Sequence, residues 1–221
     1  MRVAAGGGAR VPVIAVDGPA ASGKGTLARR LAEHFGFEWL DTGLLYRAVA
    51  ARVPPRDQGT RQGIDDAQAI AVARSFDAAW LADPSLRGEA SGRRASLVSG
   101  IPEVRAALLE YQRAFARRNP GAVLDGRDIG TVVCPDATAK LFVTASVEVR
   151  AARRLKELRD AGTQTIYAAV LQDLIERDRR DSQRAAAPLK AAVDALVLDT
   201  SGFDADQAFA AALALIEPQM I

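Results

Sequence analysis

Short apolar runs alternate with amphipathic stretches along most of this chain. VPVIAV (11–16) is apolar and β-branched, which predicts a buried strand. Further strands are predicted at 37–40, 122–125, 139–144 and 195–199. Helical spacing is expected over 24–35, 44–53, 65–76, 101–118, 147–162, 166–184 and 205–216. Pro102 falls near the first turn of its helix, and Gly162 ends another. Ile166, Val170 and Leu174 share one stripe. Residues 18–23 and 54–63 read as loops, and 83–100 show little apolar periodicity.

Strands that alternate with helices predict an α/β fold, a five-stranded parallel sheet covered by helices on both faces. Each predicted strand ends in or beside a polar residue: Asp17, Asp41, Asp125, Thr144 and Asp199. Ligands of open α/β sheets bind beyond the carboxyl ends of the strands. Segments 18–26, 41–47 and 125–128 should therefore converge there.

Composition narrows the chemistry. The net charge of +2 gives no strong field toward polymeric nucleic acid or a membrane. No segment reaches the ~18 apolar residues of a membrane span, and residues 1–10 read as a flexible tail. The single cysteine, Cys134, follows Val132–Val133 and is expected as a buried thiol, consistent with a reducing, cytoplasmic setting. A single histidine, His34, argues against a histidine-based mechanism or metal cluster. Of 29 basic residues only four are lysine. Arginine's planar fork suits phosphate, but arginine and alanine enrichment also follows codon usage, so only placement counts.

GPAASGKGT (18–26) supplies the sharpest signal. It fits Gly-x-x-x-x-Gly-Lys between a predicted strand and a predicted helix. Gly18, Pro19, Ala20, Ala21, Ser22, Gly23, Lys24, Gly25 and Thr26 would wrap phosphates with backbone N–H groups, and Lys24 would add a point charge. Gly25 occupies the usual Ser/Thr position, and the hydroxyl follows at Thr26. Such loops serve GTPases, motor ATPases and small-molecule kinases. The one asparagine, Asn119, precedes proline, so the Asn-Lys-x-Asp element that reads guanine is absent.

A kinase also needs an acceptor site. Arg47 lies on the helix after the second strand, and Arg127–Asp128 lie on a turn flanked by Gly126 and Gly130. An isolated Arg-Asp pair is usually a surface feature, but these fall at the predicted binding edge. Arg177, Asp181 and Arg184, spaced i, i+4, i+7, would share a helix face; unaided, that pattern also fits a solvated helix with an internal ion pair.

Together, IAVDGPAASGKGTLARRLA, LDTGLLYRAVA, IPEVRAALLEYQRAF, DGRDIGTVVCPDA and ERDRRDSQRAAAPLKAAVDALVLDTS resemble the bacterial cytidylate kinases, of the nucleoside monophosphate kinase group. The resemblance runs from about Val11 to the C-terminus. It implies a P-loop kinase core with a substrate-binding insert (42–105) and a lid (151–184). It also implies transfer of the ATP γ-phosphoryl group to CMP or dCMP. By position, it assigns ATP to Gly18–Thr26, the CMP phosphate to Thr42, Arg47, Arg127 and Arg184, the cytosine to Ser96, Arg105 and Asp128, and the sugar to Arg177 and Asp181. Lys24, Arg127, Arg177 and Arg184 would stabilise the transferring group; Arg153 and Arg154 would join ATP binding and, with Arg180, are further candidates to reach the phosphates when the lid shuts. Magnesium would accompany ATP, with Asp17 and Asp125 as candidates to orient its waters. A monomer is expected.

The same residues leave alternatives. A P-loop kinase for UMP, AMP or shikimate shares the donor loop, and a P-loop binding protein would lack the acceptor. Residues 51–95 also read as short for the family's insert and lack its strand pair.

Overall fold

Five strands form one wholly parallel sheet in the order β2-β3-β1-β4-β5. The computed structural model describes residues 11–54 and 63–220; the predicted tail and most of the predicted loop at 54–63 lie outside them. The strands are β1 (Val13–Asp17), β2 (Glu38–Asp41), β3 (Ala122–Gly126), β4 (Ala139–Thr144) and β5 (Leu196–Asp199). Each coincides with a predicted run to within two residues. In register, Asp17 lies opposite Gly126 and Asp41 opposite Asp125, so the polar strand ends line one edge.

β1 shows why the runs lack alternation. Val13 and Ala15 enter one apolar cluster, while Ile14 and Val16 enter another on the opposite face. The first face packs α2 (Thr42–Arg52), α3 (Asp66–Arg74), α4 (Glu89–Val98) and α5 (Pro102–Ala116), through Leu45, Val49, Val98, Val104 and Leu108. The second packs α1 (Lys24–Phe35) and α8 (Ala205–Ile216), through Leu27, Leu31, Ala212 and Ile216. Each such leucine or isoleucine contributes about 1.5–3 kcal/mol by leaving water. α6 (Val147–Asp160) and α7 (Tyr167–Gln183) form a third layer over the loop after β1, on Ala20, Ala151, Leu158, Val170 and Leu174.

The region after α2 departs from expectation. Residues 83–100, read as irregular, contain a 3-10 turn over Pro84–Arg87 and the helix α4. α4 is hidden from periodicity because it packs closely on α2 through small residues. Gly92 comes so near α2 that a Cβ there would lie 3.2 Å from Arg47 Nη2. No strand occurs among the described residues of 42–105, where this insert is built from helices and 3-10 turns joined by short loops.

Candidate active site

The loop after β1 takes two left-handed residues, Ala21 (φ 59°) and Gly23 (φ 86°), before α1 begins at Lys24. Gly18 is required for a steric reason: a Cβ there would fall 2.0 Å from the Val143 carbonyl oxygen of neighbouring β4. The loop therefore lies against the sheet edge and turns its amides outward, the geometry that binds oxyanions. Lys24 Nζ donates to Pro19 O at 3.3 Å. Burial pushes the Lys24 pKa down, aided by Arg127, while Asp125 and Asp41 oppose the shift. Burial likewise raises Asp125, as does Asp41, with Lys24 opposing. A phosphate beside Lys24 would restore the charge that burial disfavours.

A cleft opens from this loop. Its walls include Lys24, Arg47, Asp125, Arg127, Arg154 and Arg177. Arg47 Nη1 donates to Leu86 O (2.8 Å) and Gly88 O (2.9 Å), which ties it to the entry of α4. Arg177 is deeply held, and burial, then Arg127, push its pKa down to about 10. Arginines at this density repel one another, which suits a site awaiting anions.

Arg127 and Arg177 also line an adjoining pocket with Thr42, Ser96, Arg105, Asp128, Asp181 and Arg184. Buried Asp128 pairs with Arg105 Nη2 and lies 3.5 Å from Arg184 Nη2. Arg127 Nε donates to Asp181 Oδ2 at 2.9 Å. Burial alone would raise the Asp181 pKa, but Arg127 and Arg177 hold it below the usual range. Thr42 Oγ1 donates to Asp125 O at 2.8 Å. Ser96 Oγ is buried with no hydrogen-bond partner. Arginines, two carboxylates and an unpaired hydroxyl thus converge on one small space.

The comparisons with known proteins decide which kind of site this is. The family model for cytidylate kinase matches residues 14–218. The chain belongs to the cytidylate kinase family. A cytidylate kinase of Paramagnetospirillum magneticum is 59% identical over 210 residues, covering 92% of this chain and 97% of that protein. One of Methylocella silvestris is 58% identical over 205 residues, covering 93% and 94%. A crystal structure of an uncharacterized protein from Eubacterium ventriosum matches with a TM-score of 0.57 at 14% identity, covering 94% of this chain and 99% of that one. That last likeness concerns the fold alone.

Within this family's framework, most expected site residues come together, and four do not stand as expected. Asp17 does not line the cleft; its two carboxylate oxygens accept from Ile129 N and Gly130 N, each at 2.8 Å. Of the two carboxylates expected to orient magnesium-bound water, only Asp125 faces the cleft. Arg153 donates to Thr200 Oγ1, Thr200 O and Phe203 O, on the loop between β5 and α8. It borders a separate groove with Gly23, Thr26, Thr200 and Phe203. Arg180 borders neither the cleft nor the two pockets beside it. Arg184 stands just past the end of α7 in extended backbone, not on its face. Its Nε donates to Ala187 O at 2.5 Å, which turns the guanidinium toward Asp128.

Other contributors gave no sequence signal. Trp39 Nε1 donates to Asp125 Oδ1 at 2.9 Å. Tyr46 lies under Arg105, whose Cζ is 5.4 Å from the ring centre, close enough for a cation–π contact. Buried Arg150 pairs with half-buried Asp178 at 2.7 Å. All belong to elements far apart in sequence, so no spacing rule could link them.

Proposed function

We propose that this chain transfers the γ-phosphoryl group of ATP to CMP or dCMP, giving ADP and CDP or dCDP. The observation that carries the reading is the buried Arg105–Asp128 pair, set beside the unpaired Ser96 hydroxyl in a pocket that shares Arg127 and Arg177 with the phosphate-loop cleft.

Cytosine presents an amino group beside a ring nitrogen and a carbonyl. Asp128 can accept from the amino group while Arg105 donates to the nitrogen and the carbonyl. Uracil reverses both features, placing a carbonyl against Asp128 and an N–H against Arg105. Buried groups left facing like partners give strong discrimination. Ser96 adds a hydroxyl that bound base would satisfy. Arg177 and Asp181 lie where the sugar would sit, and Thr42, Arg47, Arg127 and Arg184 surround the expected position of the acceptor phosphate.

On the donor side, the Gly18–Thr26 loop would cradle ATP, with its purine in the groove beside Arg153, Thr200 and Phe203. Charge spreads over the transferring oxygens, so alignment and cations provide the catalysis. Lys24, Arg127, Arg154 and Arg177 face the space between donor and acceptor. No general base is required. Closure of α6 and α7 as a lid would exclude water, the competing acceptor.

Magnesium would arrive with ATP. No group of three or more His, Cys, Asp or Glu side chains suited to a metal occurs among the described residues. Magnesium accompanying a nucleotide is held largely by phosphates and water. Asp125 on the cleft wall and the exposed Thr26 hydroxyl are the side chains that would meet its shell. The ion would neutralise charge on the bridged phosphates. The resemblance to the bacterial cytidylate kinases supports a cytoplasmic monomer; no helix among the described residues is long and apolar enough to cross a membrane.

A coupled assay of ADP release across CMP, dCMP, UMP and AMP tests the proposal. Higher kcat/KM for UMP or AMP than for CMP overturns it, and ATP binding without acceptor-dependent ADP release would favour a binding protein instead.

A further inference from the structure

Arg150 sits near the start of α6, is 5% exposed, and lines none of the pockets described above. Its guanidinium reaches three different elements. Nε donates to Ala145 O, just past β4, at 2.9 Å. Nη1 donates to Ala20 O, inside the phosphate loop, at 3.2 Å. Nη2 donates to Asp178 Oδ2, on α7, at 2.7 Å. Asp178 Oδ1 is buried and has no other partner.

Burying a guanidinium costs several kcal/mol unless geometry and hydrogen bonds compensate, and half-buried Asp178 supplies part of that compensation. Arg150 meets that condition only while the phosphate loop, the end of β4 and α7 keep their present mutual placement. Asp178 accepts from Arg150 alone through Oδ2, and its buried Oδ1 has no hydrogen-bond partner. It also lies between Arg177 and Asp181 on α7. Any displacement of Asp178 from Arg150 therefore moves the side chains that border the acceptor pocket. The apolar contact of Ala20 with Leu158, Val170 and Leu174 holds the same layers together but fixes no rotation of α7.

We propose that Arg150 and Asp178 are a positioning pair that sets the orientation of α7, and so of Arg177 and Asp181, from the phosphate loop. The pair touches neither nucleotide. It couples the donor side to the acceptor side through Ala20 O, so that the acceptor groups align on a correctly formed loop. Lysine cannot replace Arg150, because one ammonium cannot span three acceptors in a planar fork. The inference rests on the phosphotransferase reading but not on the choice of cytosine.

The test compares the wild-type chain with Asp178→Asn, Arg150→Lys and the double variant. Each is assayed with the nucleoside monophosphate that the wild type phosphorylates fastest, so failure of the cytosine reading appears separately, in the wild-type acceptor ranking. Asp178→Asn preserves shape and keeps Arg150 on Ala20 and Ala145. It is expected to leave the ATP KM within about twofold, raise the acceptor KM and lower kcat about tenfold or more. The ratio of ATP hydrolysis to phosphoryl transfer should rise. The double variant should be little worse than Arg150→Lys, because the residues act as one unit. Unchanged acceptor KM and kcat in Asp178→Asn overturns the proposal. So does an equal change in both KM values that tracks a fall in Tm, which would make the pair a general stabiliser.

Discussion

Asp17 holds Gly130 by a 2.8 Å hydrogen bond from the Gly130 amide to Oδ2, while its Oδ1 accepts from Ile129. The residue just before the phosphate loop thus anchors the turn that carries Arg127 and Asp128. The donor loop and the acceptor turn are fixed to each other by one side chain at the sheet edge. Close approach is needed for this: a Cβ on Gly130 would lie 3.4 Å from Asp17 Oδ2 and 3.1 Å from Lys140 Cδ.

Asp17 gives a pH signature. Burial raises its pKa from 3.8 to about 6, although the two amides pull the other way. The folded state therefore binds this proton more tightly than the unfolded chain. Stability from this group is greatest below pH about 4 and declines as pH rises to about 6, by on the order of 3 kcal/mol. Asp17→Asn removes the titration. Tm measured from pH 4 to 6 should fall less steeply in the variant than in the wild type; parallel curves would refute the assignment.

Ser96→Ala should separate binding from stability. The buried hydroxyl has no partner in the free protein, so its loss should leave Tm unchanged or slightly higher. If cytosine satisfies it, the KM for CMP should rise about three- to tenfold, matching about 0.5–1.5 kcal/mol for one hydrogen bond. Calorimetric titration of CMP alongside thermal melts reads both effects.

Asp128→Asn keeps the side-chain shape but offers an amide to the base. Removing one partner of a buried ion pair costs about 3–5 kcal/mol when the other is stranded. Arg105 retains Ser99 O, at 3.4 Å, which moderates that cost. The kcat/KM for CMP should fall about a hundredfold and that for UMP far less, narrowing selectivity. An unchanged CMP-to-UMP ratio in competition assays would remove Asp128 from base recognition.

Lys24→Met should lower kcat at least about a hundredfold, the scale of one lost oxyanion donor. Tm should hold or rise, because burial disfavours the Lys24 charge in the free protein. Single-turnover kinetics with ATP and CMP would isolate the chemical step, and near-normal transfer would exclude Lys24 from it.

The legible parts of this protein are those where local pattern is tied to a backbone need. Apolar runs such as VIAV mark the central strands β1, β3 and β4, buried on both faces, and the edge strands β2 and β5 were readable as shorter runs ending in aspartate. The phosphate loop was readable because glycine at 18 and 23 answers a steric requirement. α4 was not readable. Its small residues serve a close helix contact, and small residues carry no hydrophobic period. Arg177 and Arg184 line one pocket, but not from the shared helix face that their spacing predicted: one is on α7 and one beyond its end.

By itself, the sequence determined the positions of the five strands, the phosphate loop and, through its resemblance to a family, a set of side chains that the fold gathers in one pocket. Those features depend on neighbours in the chain. Only the tertiary structure decided that Asp17 serves the acceptor turn, that Arg153 turns to the β5–α8 loop, and that Arg150 meets Asp178. The reason is that a buried charge must find its partner wherever packing leaves one, and β1, the turn at 127–130, α6 and α7 become neighbours only when the sheet forms.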